Sequence, residues 1–281
     1  MSNLQFRGIK FRIHLLFWGV IALSLAAGYF IETITLFVII FIHELGHIAV
    51  ARELGWTVKE VQFLPFGGVA IMEDEAASAP LDEIVIALAG PFMNIVMIFF
   101  SLLFWRFGWW TEEWTQFFMV SNWLIAGFNL LPIWPLDGGR IVQAILCFWL
   151  PFRMAALGTL GMSVLLAGIL LGSGLFFHHI NSVVVALYLL FVNIEAFLRF
   201  PYHFIRFLMD KYARLEEEER MHPVAVHGAT SVAGACQELR RGYQHMFIVK
   251  GKSGGILTEE RLLYALLVER RHQHPISSLL T

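Results

Sequence analysis

The sequence predicts an α-helical polytopic membrane protein with about six transmembrane helices, a short membrane-associated β-hairpin and a small α/β cytosolic module. Three observations predict it. The 281 residues are 58% hydrophobic and only 15% charged, with a mean hydropathy of +0.67, which is outside the range of soluble globular chains. Six apolar segments have or approach the length needed to cross a bilayer, near Ile13–Phe30, Thr33–Leu54, Ile84–Phe104, Phe117–Trp134, Ala155–Leu175 and Val183–Leu198. After Leu198 the composition turns mixed and then polar. The expected division is a membrane domain over 1–200, an interfacial and charged linker over 201–221, and a soluble module over 222–281.

Charge sets the expected orientation. Arg7, Lys10 and Arg12 precede the first span, Arg52 and Lys59 follow the second, Arg140 and Arg153 the fourth, and Arg199, Arg206, Lys211 and Arg214 the sixth. The opposite side carries only Arg106 in its short loops. Basic residues collect on the cytoplasmic side, so both termini are expected there. A cleaved signal peptide ending near Ala26–Ala27 is the competing reading of the first segment, but cleavage would leave an odd number of spans and disturb this asymmetry. The net charge of −2 suggests no nucleic-acid partner. Cys147 and Cys236 read as ordinary thiols.

The second span carries His43-Glu44-Leu45-Gly46-His47 inside the run Ile34–Val50. Two histidines and a glutamate are costly groups to hold at membrane depth, so their presence points to function. Histidines at i and i+4 share a helix face and can hold one Zn²⁺. Glu44 can then act as general base on a water that the metal activates. The plain alternative is an accidental pattern on a buried helix.

Val58–Met72 follows, with a Gly67–Gly68 turn between short strands. It is too apolar for a free cytosolic loop. An exposed edge around Phe66, Gly67, Gly68 and Val69 can capture an extended substrate by strand addition; a packed hairpin of structural purpose only is the alternative. In the third span, Ala89-Gly90-Pro91-Phe92-Met93-Asn94 offers small residues that let another helix approach, with Asn94 hydrogen-bonding across that contact.

Zinc needs a third protein ligand, and a catalytic site leaves one position for water. Asp137 is the candidate, in Asn129-Leu-Leu-Pro-Ile-Trp-Pro-Leu-Asp137-Gly-Gly-Arg140. Prolines and glycines there break the helix, and freed backbone groups at membrane depth must be satisfied by protein or water. The alternative for Asp137 is an N-cap of the next helix. Asn129 can hydrogen-bond the substrate backbone or a developing oxyanion, or simply bridge two helices.

HELGH, AGPFMN and NLLPIWPLDGG stand in this order over roughly residues 1–200. Together they resemble the site-2 protease family of intramembrane zinc metalloproteases. The resemblance implies His43, His47 and Asp137 as ligands of one Zn²⁺, Glu44 as catalytic base, and cleavage of a membrane-associated substrate. PFGGVAIMEDE (Pro65–Glu75) and the short C-terminal domain are similar to those family members that activate a sporulation sigma factor by removing its pro-segment. That similarity implies a pro-sigma substrate, two inhibitory membrane partners, and residence in the mother-cell membrane around the forespore.

In the C-terminal third, Phe200–Met209 suits an interfacial helix and Leu215–Arg220 a solvated linker. Beyond it, Val224–Val226 and Met246–Lys250 read as strands, Ser231–Arg241 and Thr258–Val268 as helices. The run His245–Thr258 resembles a single cystathionine-β-synthase-type (CBS) repeat. Such modules bind ATP or other adenine nucleotides as pairs, which implies a homo-oligomer here. Arg261 stands where the family has a ribose-contacting acid, and a plain docking module is the alternative. From another class, the chain reads as a non-catalytic membrane scaffold or receptor with structural zinc and a nucleotide-sensing module. The glutamate of the HELGH motif argues against it, because a structural site has no use for a base.

Overall fold

The computed structural model describes residues 3–6, 9–13, 19, 24–64, 67–72, 79–215, 220–251 and 254–280. Phe66 and half of the first expected span lie outside the described residues. The chain forms two compact units.

The first unit comprises Met1–Glu75, Asp82–Pro132 and Leu136–Ile141. It holds helices α1 (Phe30–Glu53), α2 (Pro80–Arg106) and α3 (Glu112–Asn129) and the start of α4 (Asp137–Cys147). Helix α1 stops at Leu54 in a Schellman turn: Gly55 adopts φ +81°, its N–H donates to the Arg52 carbonyl, and the Trp56 N–H donates to Ala51. Helix α3 begins where the Thr111 side chain accepts from the Trp114 N–H. It starts five residues before the expected Phe117, and its two glutamates and buried Thr115, Ser121 and Asn122 make it more polar than α1 and α2.

A four-stranded sheet completes this unit, in the order β1 (Asn3–Phe6), β2 (Ile9–Ile13), β3 (Val58–Leu64), β4 (Gly67–Met72). The sequence expectation is a two-stranded hairpin, β3 against β4, which is present and antiparallel with Leu64 opposite Gly67. Strands β1 and β2 are additional, and β2 runs parallel to β3 with Phe11 opposite Val61. The alternation Ile9-Lys-Phe-Arg-Ile13 carries the strand period, a signal hidden when its basic residues are taken only as a flank of the first span. Strand β4 is an edge and lies against α1.

The second unit comprises Ala76–Leu81, Ile133–Pro135 and Val142–Thr281. Helices α5 (Phe152–Phe176) and α6 (Ile180–Ala213) pack as a hairpin. Small buried residues of α5 (Ala155, Ala156, Thr159, Ser163, Ala167) permit the close approach. Helix α6 continues through Pro201 instead of ending near Leu198, and at 1.5 Å per residue its length of about 51 Å exceeds a bilayer core. Asn193 of α6 donates to the Trp134 carbonyl at 2.6 Å, while Ser163 accepts from the Trp134 N–H at 2.8 Å.

The C-terminal sheet is ordered β5 (Met221–His227), β6 (Gln244–Lys250), β7 (Gly255–Thr258), the first pair parallel and the second antiparallel. It packs with α7 (Val232–Cys236) and α8 (Glu259–Leu267). Phe152 of α5 and Phe207 and Leu208 of α6 belong to the same core as Leu239, Phe247, Leu262 and Leu263. At its centre Lys211 is ion-paired to Glu259 at 3.2 Å, and Glu259 accepts from the His245 N–H and Nδ1 at 2.6 and 2.8 Å. All three are buried, so removing one partner would strand a buried charge.

Four helices, α1, α2, α5 and α6, are long and apolar enough to cross a membrane among the described residues. The other two expected spans are the first segment, half outside those residues, and α3.

Candidate metal centre

The centre lies wholly within the first unit. Residues 43, 44 and 47 fall in the second half of α1, and all three are buried. Asp137 opens α4 as its first residue, since the Arg140 N–H already donates to the Leu136 carbonyl. Its carboxylate turns to the histidines instead of capping the helix. Asp137 Oδ2 is 3.2 Å from His43 Nε2 and 3.3 Å from His47 Nε2, and the two Nε2 atoms are 3.2 Å apart.

These three donors make a nearly equilateral triangle. Ligand atoms about 2.0–2.1 Å from a tetrahedral Zn²⁺ stand about 3.3–3.4 Å from one another. Asp137 Oδ2 is buried without a well-aligned hydrogen bond, as a metal-ligand oxygen would be. The far side of each imidazole is also fixed. His47 Nδ1 lies 2.7 Å from the Ile86 carbonyl, which can only accept, so Nδ1 carries the proton and Nε2 its lone pair. His43 Nδ1 lies 2.6 Å from Asn94 Oδ1. The residues present therefore fit zinc in both spacing and donor chemistry.

Glycines make the approach possible. A methyl group on Gly90 of α2 would overlap His43 Nε2 and His47 Nε2. One on Gly46 would stand 2.7 Å from the Ala89 carbonyl oxygen. One on Gly138 would overlap the backbone of Leu130 and Leu131, so the Asp-Gly-Gly sequence is what lets α4 start close to the end of α3. The expected contact between AGPFMN and the zinc-bearing helix is thus present, and Asn94 meets a histidine of the cluster directly.

Asn129, at the end of α3, has its Nδ2 3.4 Å from His43 Nε2 and so borders the cluster. Gly67, Gly68 and Val69 open the edge strand β4. In the C-terminal unit, the Thr258 side chain caps α8 by accepting from the Arg261 N–H, and Arg261 pairs with Glu269 at 2.6 Å. Thr258 and Arg261, at the place where a CBS-type repeat would contact ribose, are thus committed to their own fold.

Sequence reasoning overlooks Ile86 and Asn122 as parts of this centre. The Ile86 carbonyl has no sequence signal. Asn122 has one: an amide in an apolar segment asks for a partner.

Residues 31–111 match Peptidase family M50. A solved structure, the site-2 protease from Methanocaldococcus jannaschii, superposes with a TM-score of 0.57 at 29% identity, over 69% of this chain and 94% of that one. Stage IV sporulation protein FB of Bacillus subtilis (strain 168) is 30% identical over 278 residues, spanning 97% of this chain and 96% of the relative. The chain belongs to the M50 family of site-2 proteases. A zinc metalloprotease of Methanocaldococcus jannaschii, 34% identical over 126 residues, shares 40% of this chain and 33% of its own length. As an M50 site-2 protease the chain is an integral membrane protein and an intramembrane zinc metalloprotease.

Proposed function

We propose that His43, His47 and Asp137 ligate the zinc, that Glu44 is the catalytic base, and that the enzyme cuts a membrane-associated pro-protein near the cytoplasmic side. The observation that carries this is the triangle of donors 3.2–3.3 Å apart with Glu44 buried beside it on the same helix. When bound, zinc polarises the scissile carbonyl and makes water more acidic. Glu44 takes a proton from the attacking water as the water oxygen bonds to the carbonyl carbon, then delivers a proton to the departing amine nitrogen. Asn129 donates a hydrogen bond to the oxygen on which negative charge develops.

Depth shapes the substrate. His43 stands roughly 20 Å from the start of α1 and about 15 Å from its end at 1.5 Å per residue. A substrate helix at such depth keeps its amides internally bonded, so it must unwind or arrive extended. With both termini cytoplasmic, water reaches the centre from the cytoplasmic end of α1. The edge strand β4 then receives the extended segment through Phe66, Gly67, Gly68 and Val69. Gly68 stands opposite Phe63 in the pair between Leu64–Gly67 and Gln62–Val69, so its N–H points away from β3. Gly68→Pro removes that edge N–H, and cleavage is expected to fall by on the order of tenfold, about 1.4 kcal/mol, with zinc content unchanged. Unaltered cleavage by that variant would remove the strand-addition idea.

Similarity over nearly the full length to a sporulation protein supports a narrower assignment. The substrate is a sporulation sigma factor with a membrane-associated pro-segment, the location is the mother-cell membrane around the forespore, and inhibitory membrane proteins hold the enzyme in check. Co-expression of the wild type with such a pro-sigma factor is expected to give the shortened product. A zinc chelator added to isolated membranes should stop its formation, and zinc should restore it. Product formation that a chelator leaves untouched would sink the metalloprotease assignment of this centre.

A further inference from the structure

The inference drawn here rests on His43 as a zinc ligand and concerns what fixes its ring. Its second nitrogen ends a chain of amides. His43 Nδ1 lies 2.6 Å from Asn94 Oδ1, Asn94 Nδ2 donates to Asn122 Oδ1 at 3.0 Å, and Asn122 Nδ2 donates to the Phe118 carbonyl at 2.9 Å. Both asparagines have 0% exposure, so neither amide has bulk water as an alternative partner.

The direction of this chain is forced from its far end. The Phe118 carbonyl can only accept, so Asn122 must turn its NH₂ to it and its oxygen toward Asn94. That oxygen can only accept, so Asn94 offers its NH₂ and presents its own oxygen to His43. His43 must then donate from Nδ1, and the neutral ring keeps its lone pair on Nε2, 3.2 Å from both His47 Nε2 and Asp137 Oδ2. An amide orientation that is ambiguous in isolation is settled by one backbone carbonyl on α3. His47 obtains the same tautomer in one step, from the Ile86 carbonyl. His43 has no backbone carbonyl in that place and depends on two side chains.

We propose that Asn122 is a positioning residue for the metal centre: through Asn94 it locks His43 in the tautomer that ligates zinc. Asn122 touches neither substrate nor metal. Its effect is on the readiness of Nε2, and it ties the metal site to α3. Without the Asn122 oxygen, Asn94 is free to rotate its NH₂ toward His43, which places the ring proton on Nε2 and opposes ligation.

The test is zinc affinity of the purified full-length protein, measured by competition with a chromogenic chelator and without any activity assay. Asn122→Leu and Asn122→Ala remove the acceptor and are expected to weaken zinc binding by on the order of tenfold. Asn122→Asp keeps an acceptor for Asn94 and should stay within about threefold of wild type. Helix content and elution volume report folding, and either apolar variant that folds suffices. Wild-type affinity in an apolar variant, beside a zinc-binding wild type, overturns the relay and leaves the ligand assignment standing. Equal loss in Asn122→Asp and Asn122→Ala also overturns it, since the amide would then act by packing. A wild type that binds no zinc overturns the ligand assignment and the relay together.

Discussion

Glu44→Gln is expected to abolish proteolysis and to leave zinc in place. The substitution keeps the shape of the side chain and its buried position, and it touches none of the three donor atoms that converge at 3.2–3.3 Å. What it removes is a group able to hold a proton between the attack of water and the departure of the amine. Positioned general bases contribute about 10²–10⁴-fold to rate. In the proposed mechanism the same group takes and returns the proton, so kcat is expected to fall by at least about 10³-fold. The measurement is product formation from a co-expressed membrane-associated pro-protein, with zinc determined per chain on both purified proteins. Asp137→Ala is the useful contrast, because it should lose zinc and activity together. Equal cleavage by Glu44→Gln and wild type would place the base elsewhere. Loss of zinc in Glu44→Gln would make Glu44 part of the ligand sphere and force a different mechanism.

The centre is legible in the sequence to the extent that its chemistry is local. His43 and His47 are set by helix periodicity, so four residues of spacing are enough to place both on one face. Asp137 is legible because prolines and glycines interrupt an apolar span immediately before and after it. The long apolar helices are legible for the same reason, since length and hydropathy alone determine them. What could not be read is what depends on partners distant in sequence. The pairing of β2 with β3 joins residues about fifty positions apart, and a strand of alternating apolar and basic residues looks locally like a charged flank. The continuation of α6 through Pro201 likewise comes from packing, with Phe207 and Leu208 buried in the core of the C-terminal unit, which offsets the hydrogen bond that proline cannot make. Small residues are ambiguous in another way. Gly90 reads as space for a helix and Gly138 as a helix breaker, and only the fold shows that Gly90 makes room for two imidazoles, Gly138 for a turn, and Gly46 for a helix backbone.

That distinction gives Gly90→Ala its expected outcome, loss of zinc from a protein that stays folded. The added methyl overlaps Nε2 of both histidines. These are side-chain tips, so the rings can swing aside without parting the helices, and in doing so they give up the arrangement in which three donors converge. Displacing a ligand should cost at least what a disturbed outer shell costs, so affinity is expected to fall by about 100-fold or more. Metal-free stability should change little: rings that swing aside strain their Nδ1 hydrogen bonds to Asn94 and Ile86, a cost of about 1 kcal/mol each if lost, and alanine offsets about 1 kcal/mol as the better helix former. Gly46→Ala provides the counter-experiment on the same helix contact. Its methyl meets the Ala89 carbonyl oxygen and Met93 Cγ, both at 2.7 Å, and the backbone oxygen cannot swing aside. Helices α1 and α2 must separate there, and the metal-free protein should melt at a lower temperature than wild type. Chelator competition and thermal melts of the two metal-free variants separate the cases. Gly90→Ala that binds zinc as wild type does would show that the imidazoles do not converge against this face of α2, and the centre would have to be redrawn.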